Sequence, residues 1–85
     1  MNQLEIEKWI VSQVRNMSPV AASAKELPLD RSLVEIGYLD SFGIIELVDA
    51  MEKNWKIRID VADINRERFG SIQKMAKVIG EKIAG

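Results

Sequence analysis

The chain of 85 residues contains no cysteine and no histidine. Without cysteine it forms no disulfide and has no thiol of its own, and without either residue the common zinc sites are excluded. The Ser-His and Cys-His pairs that most often activate a nucleophile are excluded as well. A carboxylate, lysine or tyrosine remains available as a base, but so short a chain has little room for a substrate pocket around one. We therefore expect no catalytic residue and no metal ligand.

The sequence also lacks long apolar runs and a surplus of charge. No run approaches the roughly 20 residues of a membrane-spanning helix, and the first ten residues do not have a signal-peptide pattern. The net charge is −1, from 12 basic and 13 acidic residues, so we expect no nucleic-acid partner. Hydrophobic residues make up 47% of the chain, as in folded domains. We expect one domain, residues 1–85, that is cytoplasmic, monomeric and not inserted in a membrane.

Apolar residues recur at helical spacing in three stretches, each of which begins at a residue type that prefers the N-cap position. These stretches and their predicted N-caps are residues 2–17 with Asn2, residues 40–55 with Asp40, and residues 71–85 with Ser71. The irregular composition of residues 18–39, which include both prolines, predicts a long loop held in place by its own leucines.

A further short helix is predicted in the stretch "DVADIN", with Val61 and Ile64 facing inward. In the helix over residues 40–55 the predicted inward-facing residues are Ile44, Leu47, Val48 and Met51, with Ile45 widening the buried face. The predicted fold is an all-α four-helix bundle with a short third helix and a long first loop.

The segment "GYLDSFGIIELV", residues 37–48, places Asp40 and Ser41 at the start of a predicted helix. Three interpretations of this pair compete. Asp40 can be a helix cap with Ser41 an ordinary first-turn residue. Ser41 can be a catalytic nucleophile, although the composition supplies no histidine base. Ser41 can also be a modification site, because free amides and the helix dipole favour a phosphate ester there.

The wider sequence resembles the acyl carrier proteins and the related peptidyl and aminoacyl carrier domains. The resemblance is carried by Ser32-Leu33, Glu35, Gly37, Asp40-Ser41-Phe42 and Ile45-Glu46-Leu47, and more loosely by Trp55, Ile57-x-Ile59 and "SIQKMAKVI". It covers about residues 4 to 83. The short Asp-Ser motif is weak alone, but together with its flanks, the chain length and the helix order it is specific.

The resemblance implies that a phosphopantetheinyl transferase attaches 4′-phosphopantetheine, taken from coenzyme A, to Ser41. Acyl or aminoacyl groups would then be held on the thiol of this arm as thioesters, and Asp40 would cap the helix and help the transferase recognise the site. An acyl- or aminoacyl-loading ligase and downstream acyl-processing enzymes would be further partners. Residues expected to contact partners are Phe42, Glu46, Asp49, Glu52 and Ile64, and those expected near the arm or a partner include Val34 and Leu39.

Several features depart from the fatty-acid carriers that the sequence resembles. The chain is nearly neutral, Gly43 stands where such carriers often have an acid, and Asp-Ser-Phe looks more like the D-alanyl carriers. Basic residues follow the second long helix: Lys53, Lys56, Arg58, Arg66 and Arg68. These departures favour a dedicated biosynthetic pathway over housekeeping fatty-acid synthesis.

Two alternatives from other classes stay open at this point. The chain can be a small helical protein–protein interaction module without a prosthetic group, or an enzyme with a Ser-Lys or carboxylate centre. The identity of the carried group is also open. The interior residues Ile44, Leu47, Met51, Ile64, Met75 and Ile79 fit a plain core as well as a cavity for an acyl chain.

Overall fold

The computed structural model describes residues 2–84, with the exception of the side chain of Arg66. Met1, Gly85 and the Arg66 side chain, which is among the basic residues named above, lie outside the described part. The helices are α1 (Gln3–Met17), α2 (Pro19–Ser23), α3 (Ser41–Trp55), α4 (Arg66–Phe69) and α5 (Ile72–Ala84), and a 3₁₀ turn covers Val61–Asp63. Residues 2–84 contain no strand, and the predicted all-α, carrier-protein-like fold is confirmed. None of their helices is long and apolar enough to cross a membrane.

The three long helices begin at the predicted side chains. The Asn2 side chain accepts the amide of Glu5 at 2.9 Å, and Asp40 accepts the amide of Gly43 at 2.8 Å. The hydroxyl of Ser71 accepts the amide of Lys74 at 3.2 Å before α5. Each cap satisfies an amide that has no acceptor inside its own helix.

Two short elements differ from the prediction. Residues 18–39 are not irregular throughout, because Pro19–Ser23 form α2. Pro19 follows the end of α1 and is the first residue of α2. The missing amide of proline costs nothing at this position, and Ser18 is the N-cap of α2. In place of the single short helix predicted near residues 60–65, the structure has the 3₁₀ turn followed by α4. Asn65 is the N-cap of α4, and its side chain accepts a hydrogen bond from the Arg68 amide.

The core lies mainly between α1 and α5, with α3 and the long loop packed against it. Its fully buried large side chains are Ile6, Ile10, Val14, Leu33, Leu47, Met51, Ile72, Met75 and Ile79. The rings of Trp9 and Trp55 pack beside it with centroids 4.5 Å apart. Two residues predicted to face inward do not: Ile45 is 61% exposed and Val61 is 86% exposed. Ile45 lies beside the buried face of α3 and not on it. Val61 is exposed because it belongs to a three-residue turn, which buries little of its own surface.

The loop of residues 24–40 is held by leucines, as predicted, and also by an arginine that the sequence did not single out. Leu27, Leu33 and Leu39 are buried. The Arg15 guanidinium donates to the carbonyls of Ala21 at 3.0 Å and Ala24 at 2.8 Å. Arg15 thereby gives the carbonyls at the end of α2 a side-chain donor and links the start of the loop to α1.

The loop reaches α3 through a close approach between Leu39 and Gly43. A Cβ atom on Gly43 would lie 3.0 Å from Leu39 Cδ2 and 3.2 Å from Leu39 Cβ. Leu39 is therefore the neighbour that a glycine at residue 43 accommodates. By contrast, a Cβ on Gly80 in α5 would meet only the end of Ile6 at 3.9 Å.

We expect Arg15→Met to lower the free energy of unfolding by about 2 kcal/mol, because the carbonyls after α2 lose their donor while the apolar stem is kept. Urea denaturation measures this change. Arg31→Met is the matched control because Arg31 is exposed, and it should change the value by less than about 0.5 kcal/mol. Equal losses in the two variants would contradict the role assigned to Arg15.

Alanine at the two helical glycines should have opposite effects. Gly80→Ala should stabilise the protein by about 0.5–1 kcal/mol, because α5 gains helix propensity without a clash. Gly43→Ala should destabilise it by about 1 kcal/mol, because Leu39 Cβ cannot withdraw without moving its backbone. Thermal and urea unfolding of both variants test this difference, and an equal gain from both substitutions would refute the close-approach explanation.

Candidate functional site

The first turn of α3 is fixed by Asp40. Its backbone is extended, its carboxylate accepts the Gly43 amide, and its carbonyl accepts the Ile44 amide at 3.0 Å. The Asp40 side chain thus satisfies one of the four amides that a helix N-terminus leaves without intrahelical acceptors, and its carbonyl accepts the first regular bond of the helix. The amides of Ser41 and Phe42 lie at the positive end of the helix dipole.

Ser41 is the first residue of α3 and is exposed. Two other serines in the chain, Ser18 and Ser71, precede helices and act as caps, and both are buried, at 6% and 3% exposure. Their hydroxyls are committed to backbone amides, whereas at α3 the preceding aspartate performs this role. The Ser41 hydroxyl is therefore accessible at a rigid position, and its surroundings fit a phosphate ester.

Two clefts flank this turn. The first, which we name the Ile64 cleft, has a volume of about 220 Å³ and is lined by Ser32, Val34, Glu35, Ile44, Ile64, Asn65, Phe69 and Gly70. The second, the Tyr38 cleft, has a volume of about 290 Å³ and is lined by Met17, Ser18, Pro19, Tyr38, Leu39, Asp40, Phe42, Gly43 and Glu46. Ser41 lies in sequence between Asp40 and Phe42, which line the Tyr38 cleft. It precedes Ile44, which lines the Ile64 cleft, by three residues.

The apolar residues predicted to contact partners or the arm occupy different environments. Phe42 is 77% exposed and follows Ser41 directly, and Val34 is 48% exposed at the rim of the Ile64 cleft. Ile64 is half-buried in the same cleft. Leu39 is 7% exposed and packs against Gly43, so it belongs mainly to the core. The exposed side chain of Ile45 extends the apolar surface beyond Phe42, which the sequence reasoning missed because it assigned Ile45 to the buried face.

The three acids predicted on the partner surface also differ from one another. Glu46 is exposed and lines the Tyr38 cleft. Asp49 pairs with Lys53 at 3.0 Å on the exposed face of α3. Glu52 is half-buried, and its carboxylate accepts the amide of Ile59 at 2.9 Å, which holds the chain after α3 against the helix. Glu52 thus differs from the other two acids in binding a backbone amide seven residues further along the chain. No sequence pattern indicates this hydrogen bond.

The described residues contain no cluster of acidic side chains able to hold a metal ion. The nearest carboxylate to Ser41 in sequence, Asp40, is engaged in capping α3. The first turn of α3 therefore presents an accessible hydroxyl and free amides without a neighbouring histidine to activate that hydroxyl.

Comparison with known proteins agrees with this geometry. A sequence model of the phosphopantetheine attachment site family matches residues 9–79. The chain is 26% identical over 53 residues to the D-alanyl carrier protein of Streptococcus pyogenes serotype M5 (strain Manfredo), covering 62% of this chain and 67% of that protein. The D-alanyl carrier protein of Streptococcus sanguinis (strain SK36) is 30% identical over 53 residues with the same coverage.

The family predicted from the sequence is thereby confirmed. The matched region contains α3, both clefts and the greater part of α1 and α5. Because the family model spans well over half of the chain, the protein belongs to the phosphopantetheine attachment family and is a carrier protein of the acyl and aminoacyl carrier class, with covalently attached 4′-phosphopantetheine as its prosthetic group.

Proposed function

We propose that Ser41 is the residue to which 4′-phosphopantetheine is attached. The observation that carries the proposal is the exposed Ser41 hydroxyl at the first turn of a helix that Asp40 already caps. When bound, phosphopantetheine supplies a thiol on which acyl or aminoacyl groups are held as thioesters. The chain itself has no cysteine and supplies no thiol of its own.

The residues of this turn position the attachment point and do not activate it. Asp40 keeps the helix start rigid, and the free amides of Ser41 and Phe42 favour the negative charge of a phosphodiester. Activation of the hydroxyl belongs to the transferase, so the protein is a non-catalytic carrier. An enzyme with a Ser-Lys or carboxylate centre is disfavoured because the carboxylate beside Ser41 is committed to the cap.

The carried group is of the acyl or aminoacyl class, and the pathway is a dedicated one. Support for an aminoacyl group comes from the similar proteins, whose name specifies a D-alanyl group, and from the resemblance of Asp40-Ser41-Phe42 to the D-alanyl carriers. The alternative of an interaction module without a prosthetic group does not account for the family match over residues 9–79. The cytoplasmic location and the monomeric state stay predictions.

The surface around Ser41 is the contact region for the transferase, the loading ligase and the acyl-processing enzymes. Phe42 offers an exposed aromatic side chain, and Glu46 offers an exposed charge within two turns of the attachment point. Asp49 contributes less because Lys53 neutralises it, and Glu52 contributes less because it binds the Ile59 amide. Such charges set encounter rate and partner choice more than final affinity.

Incubation of the apo-protein with coenzyme A and a broad-specificity phosphopantetheinyl transferase should add the mass of one phosphopantetheine. Ser41→Ala should gain nothing, because its hydroxyl is the proposed acceptor. Ser12→Ala, which removes an exposed serine from α1, should be modified like the wild type. Intact-mass spectrometry reads all three. An unmodified wild type beside a modified control carrier, or modification of Ser41→Ala, would contradict the assignment.

Two substitutions at Asp40 separate its capping role from its charge. Asp40→Ala should lower the free energy of unfolding by about 1 kcal/mol, whereas Asp40→Asn, which can still cap, should change it by less than about 0.5 kcal/mol. Both should reduce kcat/KM of the transferase by about tenfold, equivalent to ~1.4 kcal/mol, if the carboxylate charge is recognised. A normal rate for Asp40→Asn would restrict Asp40 to the structural role.

A further inference from the structure

One wall of the Ile64 cleft is a segment with few anchors. The segment runs from the 3₁₀ turn through α4 to Gly70, and it contributes Ile64, Asn65, Phe69 and Gly70 to the cleft. It is anchored at its two ends, by buried Ile59 before the turn and by buried Phe69 in α4. Between these anchors Val61 is 86% exposed and the turn begins without a side-chain cap. Such a segment opens at a lower free energy than the core.

Asp63, the last residue of the 3₁₀ turn, makes the ionic contacts that hold the middle of this segment. One carboxylate oxygen lies 3.1 Å from Arg68 Nε in α4, and the other lies 3.1 Å from Lys82 Nζ in α5. Arg68 in turn lies 2.8 Å from the Glu81 carboxylate, also in α5. Four charged groups of zero net charge thus join the turn, α4 and α5. We name them the Asp63 clamp.

The clamp is more shielded than an ordinary surface pair. The side chains of Asp63 and Lys82 are 20% and 24% exposed, those of Arg68 and Glu81 are 45% and 54% exposed, and those of Asp49 and Lys53 in α3 are 62% and 78% exposed. The shielding is therefore strongest at the contact between Asp63 and Lys82. Exposed pairs of the second kind contribute little because water screens them and two long side chains must be ordered. Networks of partly buried charges are screened less. The same substitution of aspartate by asparagine should therefore have unequal effects at the two positions.

We propose that Asp63 is a positioning residue that holds the outer wall of the Ile64 cleft against α5 and so sets how far this cleft opens. Ile64 follows Asp63 directly, so any release of the clamp is transmitted first to a cleft-lining side chain. Opposite it, Ile44 belongs to α3 and has no part in the clamp. The importance of this cleft for a carried group rests on the proposed attachment at Ser41, but the clamp itself is a property of the unmodified chain.

Amide hydrogen exchange of the unmodified full chain, resolved by NMR, tests the proposal. Asp63→Asn should accelerate exchange at Ile64 and Phe69 by roughly fivefold while α1 core amides such as Ile10 change by less than about twofold. Asp49→Asn is the matched control and should leave all of these rates within about twofold. Raising the salt concentration to about 1 M should accelerate the wild type toward the Asp63→Asn rates and should change that variant less.

The methyl resonances report the cleft itself. In Asp63→Asn the methyl signals of Ile44 and Ile64 should shift, while that of Ile6, buried in the core, should not. Lys82→Gln, which leaves Asp63 in place, should show part of the faster amide exchange and part of the methyl shift. Asp63→Glu, which keeps the carboxylate, should exchange as slowly as the wild type. Uniform acceleration over the whole chain, or equal effects of Asp63→Asn and Asp49→Asn, would overturn the proposal. Because no step uses the transferase, failure of Ser41 modification and failure of the clamp give separate results.

Discussion

The hydrogen bond from the Gly43 amide to the Asp40 carboxylate is the contact on which the functional end of the molecule depends. The first amides of a helix have no acceptors within the helix. A side chain that accepts a hydrogen bond from one of them is held against the backbone. Ser18 and Ser71 show the consequence for a serine, since both cap helices and both are buried. Because an aspartate caps α3, Ser41 stays in the first turn with its side chain exposed.

This cap is in turn held by the long loop. Leu39 approaches Gly43 so closely that a Cβ atom at residue 43 would lie only 3.0 Å from Leu39 Cδ2 and would require Leu39 to shift. The amides of Tyr38 and Leu39 both donate to the carbonyl of Leu33, and the Leu33 amide donates to the Gly70 carbonyl before α5. Gly37 permits this tight turn because its φ is +83°, a conformation that other residues rarely adopt. The loop therefore links the start of α3 to the residue pair Gly70-Ser71 that precedes α5.

Local signals in the sequence predicted most of the helices and their caps. The contacts that sequence analysis missed are mostly those between residues far apart in the chain. The caps at Asn2, Asp40 and Ser71 depend on three or four adjacent residues, so spacing was enough to find them. No local signal marks the ion pair that joins Asp63 to Lys82 in α5. Likewise, nothing near Glu52 signals that it binds the Ile59 amide.

The distribution of charge follows from the same internal contacts. The sequence suggests an acidic face of three carboxylates on α3, yet Asp49 shares that face with the adjacent cation of Lys53, and Glu52 is half-buried against the Ile59 amide. Among the described residues Glu46 is the acid of that face that has neither an ion pair nor a backbone amide as partner, and it lies one turn from the exposed side chain of Phe42. A single charge steers an approaching partner less than a cluster does, and screening at physiological salt weakens it further. Exposed Phe42 and Ile45 therefore have a larger share in any contact beside Ser41 than composition alone indicates, which is consistent with a carrier whose net charge is close to zero.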